Sequence, residues 1–156
     1  MRKIVLFVAF SMMTIVAGYA QGSSSVQLKI NDLVKRYENV KGVECISVTK
    51  GEGLGMVKMM LNTQFGKDFM AGVTSITIID YSDASQATCL AIRKDVDIFK
   101  TILEEFDMSD SGYTDKEYIR SFAKVENSTT LSDFMFAIED GESKMIMYMA
   151  GKIKAK

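Results

Sequence analysis

Apolar positions along this chain form one nearly unbroken block and then switch between two periods. The block covers residues 4–16, follows Met1-Arg2-Lys3 and closes on Ala17-Gly18-Tyr19-Ala20. A positive start, a short apolar run and small residues at Gly18 and Ala20 have the form of an export signal, with cleavage expected between Ala20 and Gln21. A spanning helix wants about 20 apolar residues. This run is shorter and holds Ser11 and Thr14, so release is expected and a retained anchor is not.

Beyond the block, residues 21–25 make a polar, flexible start, and Val26, Ile30, Leu33, Val34 and Tyr37 then recur at helical spacing. They predict a helix over 26–38. Residues 43–49 are short and rich in β-branched side chains, which predicts a strand. Gly51-Glu52-Gly53-Leu54-Gly55 is expected to break it, ahead of a helix over 54–61 on which Val57, Met60 and Leu61 share a face. Residues 73–81 give the clearest strand, with Ile76 and Ile78 on one face and Ile79 on the other, as in a central strand. Val96, Phe99, Ile102, Leu103 and Phe106 return to helical steps and predict a helix over 92–106, starting near Ser85. Residues 118–126, 131–139 and 143–153 read as three successive strands. They are split by Asn127-Ser128-Thr129 and by Asp140-Gly141-Glu142, where Asp-Gly is a strong hairpin signal.

The order α-β-α-β-α-β-β-β predicts an α+β domain of two layers. It comprises a mixed sheet of about five strands with a C-terminal antiparallel meander, and two or three helices covering one side. Strands joined through a helix are expected to run parallel. Residues 21–156 suit a single domain.

Charge adds exclusions. Of 19 basic residues Arg2 and Lys3 leave with the signal, so 17 stand against 20 acidic ones, a net charge of −3. There is no basic footprint for nucleic acid and little attraction to anionic lipid. The chain has no His, which rules out Ser-His-Asp and Cys-His nucleophiles and imidazole-based zinc sites. Cys45 and Cys89, the only two cysteines, lack redox Cys-x-x-Cys spacing. They offer one disulfide or two buried thiols.

Other motifs fall short of a cofactor. The Gly51, Gly53, Gly55 series has Met56 where a dinucleotide fingerprint needs its third small residue, and no Gly-Lys-Ser/Thr follows. Asp107-Met108-Ser109-Asp110-Ser111-Gly112 resembles a calcium loop, but its twelfth position is Tyr118 where a bidentate Glu is required. No cofactor or metal is expected.

Of the 12 methionines, Met145, Met147 and Met149 line one face of the last strand, and Phe134 and Phe136 one face of the strand before it. Met fills irregular cores and also makes adaptable contact surfaces, so these five are the candidate interaction surface.

Leu33-Val34-Lys35-Arg36-Tyr37, Lys41-Gly42-Val43-Glu44-Cys45-Ile46-Ser47-Val48-Thr49-Lys50 and Val73-Thr74-Ser75-Ile76-Thr77-Ile78-Ile79 together resemble the DUF4252 family of exported Bacteroidetes proteins. Leu131-Ser132-Asp133-Phe134, the Gly141 turn and Met149-Ala150-Gly151-Lys152-Ile153 resemble that family's closing hairpin. The resemblance implies a Gram-negative envelope setting and a single α+β domain. It also implies gene neighbourhoods with extracytoplasmic sigma factors, and so a role in sensing or responding to envelope conditions. It supplies no catalytic residues.

The expectation is therefore a periplasmic or secreted binding or accessory protein with a protein partner in the envelope, working through a sheet face or edge. The rival is a small hydrolase or metal-dependent enzyme using Asp80, Asp83, Asp107 and Asp110.

Overall fold

The computed structural model describes residues 25–49, 51–65, 69–106, 118–141 and 143–154. The expected export signal, residues 1–20, and the calcium-like series at 107–112 lie outside the described residues.

Helix α1 spans Ser25–Tyr37 and buries Val26, Ile30, Leu33 and Tyr37, the stripe expected from their spacing. Lys35 and Arg36 sit in its last turn, where the helix dipole favours cations. The chain turns at Gly42, whose φ is +80 and where a Cβ would overlap the carbonyl of Asp83, so only Gly fits. Strand β1 is Glu44–Val48, helix α2 is Glu52–Phe65 and strand β2 is Gly72–Asp80. The second helix starts before the expected Leu54. Gly51, with φ +86, makes the turn, whereas Gly53 and Gly55 lie within the helix.

Helix α3 covers Gln86–Asp97, its N-cap Ser85 accepting the Thr88 N–H at 3.1 Å. The helix expected to reach residue 106 stops well short of it. A 3₁₀ turn at Ile98–Thr101 follows, then strand β3 at Glu104–Phe106. The helical spacing was a true core signal there, because Phe99 and Leu103 are buried with α3. The backbone tightens so that Glu104–Phe106 pairs with Ser121–Ala123. Strands β4 (Tyr118–Asn127), β5 (Thr130–Glu139) and β6 (Lys144–Lys154) form the expected meander. Its last turn is closed by Asp140, which donates its N–H to Ser143 O at 2.9 Å and accepts the Ser143 N–H at 2.6 Å.

The sheet has six strands in the order β1-β2-β6-β5-β4-β3, and every neighbouring pair is antiparallel. The α+β class holds, but the sheet is not mixed and the strand count is higher by the short β3. Strands β1 and β2 are antiparallel although a helix joins them, so α2 leaves and re-enters at the same end of the sheet. The rule for helix-linked strands holds only for β2 and β3, which share a direction but stand apart, with β6, β5 and β4 between them.

Both faces of the sheet are packed. Ile79, Ile146, Ala137, Tyr148, Met135 and Phe122 point to α1 and α3 and form the larger cluster with Ile30, Leu33, Ile92 and Val96. The other face carries Ile76, Ile78, Met147, Met149 and Phe134, and it packs with Leu54 and Val57 of α2. The helices thus do not all lie on one side. The last strands are apolar on both faces, and burying both requires cover on each.

Candidate functional site

Helical spacing sets one wall of a cleft. Gln86, Cys89, Leu90 and Arg93 stand three and four apart on α3, so they share a face. The opposite wall comes from the strand ends at the meander's last turn. Tyr118 opens β4, Glu139 closes β5, Asp140 and Gly141 turn, and Lys144 opens β6. Together they line an open cleft of about 530 Å³, within the usual range of small-molecule sites.

Glu139, only 7% exposed, is held from two sides. Arg93 donates from Nε to Oε1 at 2.9 Å and from its terminal nitrogen to Oε2 at 2.5 Å, a bidentate pair. The Tyr81 hydroxyl donates to Oε1 at 3.2 Å. Burial first, then the Glu139 charge, push the Tyr81 phenol far above its ordinary range, so it stays a donor. Arg93 also lies 4.7 Å over the Tyr118 ring. The Tyr118 hydroxyl is buried with no hydrogen-bond partner among the described residues, and burial leads in pushing its pKa up to about 12.

Lys144 completes the cleft. Its backbone is fastened to the β2 exit, donating its N–H to Ser82 Oγ at 2.9 Å and accepting the Tyr81 N–H at 2.8 Å. Its half-buried ammonium donates to the Cys89 sulfur at 3.6 Å, and no carboxylate pairs with it among the described residues. Arg93 and Glu139 neutralise each other, and Lys144 shares the cleft with the Asp140 carboxylate, which is turned to the Ser143 N–H at 2.6 Å.

Of the residues singled out from sequence, Cys89 lines this cleft and the others that are described lie apart from it. Met145 and Met149 are buried, while Met147, Phe134 and Phe136 are half-buried on the sheet face that α2 partly covers. Cys45 and Cys89 are both free thiols. Cys89 is the one that reaches the cleft. Burial and, after it, Glu38 push the Cys45 thiol up to about 11. Asp80 accepts the Ser82 N–H at 2.9 Å and Asp83 is exposed, while Asp107 and Asp110 lie outside the described residues. Among the described residues no three His, Cys, Asp or Glu side chains gather as a metal would need. None of their helices is long and apolar enough to cross a membrane.

Gln86, Leu90, Arg93, Tyr118, Glu139 and Lys144 escaped sequence reasoning. Half of the signal was present, because Glu139 and Lys144 flank an Asp-Gly turn and are backbone register partners across it. Nothing in one sequence says that the α3 face meets that turn. Comparison with protein-family models, with curated proteins and with solved structures finds no match.

Proposed function

We propose that the chain is an exported accessory protein of the bacterial envelope that works by binding, and that the cleft between α3 and the β5–β6 turn is where it binds. The export signal and the resemblance to exported DUF4252 proteins support the compartment and a role in sensing envelope conditions. One observation carries the site: a half-buried ammonium, that of Lys144, faces a 530 Å³ cleft with no carboxylate partner among the described residues. A cation so placed favours a small ligand with an anionic group. Leu90, 50% exposed, gives that ligand an apolar wall. The Arg93–Glu139 pair holds the two walls in register and leaves Lys144 to do the recognising.

Thermal-shift titration with small carboxylates, phosphate esters and short peptides tests the reading. One class is expected to raise Tm, and Lys144→Met to weaken its binding about tenfold, the worth of one charge-assisted hydrogen bond. Absence of any shift at millimolar ligand, or an unchanged Kd in the Lys144 variant, would sink it.

A further inference from the structure

Helix α2 is apolar on two sides, and among the described residues only one of them is covered. Leu54 and Val57 face the sheet in the core cluster with Ile76, Ile78 and Met149. On the opposite side Glu52, Gly55, Met56 and Met59 stand three and four apart and are all exposed, Met59 by 70% and Met56 by 54%. A Cβ added at Gly55 or at Gly51 would meet nothing within 4 Å, so the stripe has two open pits beside two projecting thioethers. A helix that is apolar all round is normally buried all round.

We propose that this outer face is where two copies of the chain meet, with their α2 helices antiparallel about a two-fold axis through Gly55. Two features of different kind require the same register. Glu52 and Lys58 form no ion pair within their own chain among the described residues. An antiparallel pair centred on Gly55 sets each Glu52 opposite the partner's Lys58, giving two reciprocal ion pairs. That register also sets each Met59 over the open pit at the partner's Gly51, and it brings Gly55 onto Gly55, where the missing Cβ lets the backbones approach. A two-fold contact needs a self-complementary patch, and Gly51, Glu52, Gly55, Lys58 and Met59 map onto one another about that axis. A parallel pair would set like charges side by side. One helix per copy buries less than a standard interface, so the dimer is expected to be weak and concentration-dependent. The surface is separate from the α3 cleft, so the dimer and ligand binding stand or fall independently.

Sedimentation equilibrium of the exported protein, from about 5 to 500 µM, is expected to show a monomer–dimer equilibrium. Glu52→Lys should raise Kd about tenfold or more by facing two lysine pairs, and the Glu52→Lys/Lys58→Glu double variant should restore it. Gly55→Gln, which meets open space in the monomer, should abolish the dimer with Tm unlowered. A protein monomeric throughout the range overturns the proposal. So does a dimer indifferent to Gly55→Gln, or a charge swap that fails to rescue. If the face instead captures a different protein while the chain stays monomeric, the two-copy assignment is wrong.

Discussion

At the scale of single residues, the most consequential placement is a carboxylate buried on the promise of an arginine. Glu139 is 6% exposed at its side chain, while Arg93 is 41% exposed. The exposed partner is therefore the one that can be removed cleanly. Arg93→Met leaves Glu139 buried with only the Tyr81 hydroxyl. It should lower stability by about 2 kcal/mol, below the cost of breaking a fully buried pair because the guanidinium is partly solvated. Urea unfolding at neutral pH measures it.

Phenols and a thiol give the protein an alkaline limit. Tyr37, whose hydroxyl donates to Asp95 at 2.6 Å, is pushed up to about 12 by burial first and by that bond second, and Tyr118 reaches about 12 as well. Each has a folded pKa above its unfolded value near 10, so its contribution is whole below pH 10 and is lost between 10 and 12. Cys45 acts in the same sense between 9 and about 11. Stability is expected to be flat from pH 7 to 9 on account of these groups and to fall above it. Tyrosine absorbance at alkaline pH should show at least three phenols, Tyr37, Tyr81 and Tyr118, ionising late or only with unfolding. A thiol count on untreated, denatured protein should return two, because both cysteines are free.

At the scale of elements, short-range chemistry sets the ends and long-range contact sets the lengths. The start of α3 near Ser85 was legible from the change of period after Ser82, and the structure shows why it falls there, the Ser85 hydroxyl accepting the Thr88 N–H. Ser85→Ala should cost about 1 kcal/mol. Gly42→Ala should cost more than that, because the φ of +80 and the overlap with the Asp83 carbonyl act together. Chemical denaturation of the two variants ranks them, and the reverse order would show that the Asp83 loop yields. The end of α3 was not legible in the same way. Phe99, Ile102 and Leu103 keep the helical period, yet their backbone leaves the helix so that Glu104–Phe106 can reach β4. Arg120 then pins that edge through Glu105 and through Asp97 at 2.8 Å.

At the scale of the molecule, β6 and β2 lie inside the sheet with both faces packed, whereas β1 and β3 are its edges. Backbone amides of β2, β5 and β6 should exchange last, and those of three-residue β3 should be among the first in the sheet. Hydrogen exchange read strand by strand checks this, and early loss of β6 protection would contradict the strand order. The α+β class, the meander and its Asp140 turn, the buried stripe of α1 and the absence of imidazole chemistry were all determined by sequence alone. Each depends on residues close together in the chain or on residue types that are simply missing. Tertiary structure alone decided that β1 and β2 run antiparallel, that α2 crosses to the far face, and that Gln86, Arg93, Tyr118, Glu139 and Lys144 share one cleft. Those facts depend on which apolar face packs on which, and a periodic pattern says that a face is buried without naming the surface that buries it.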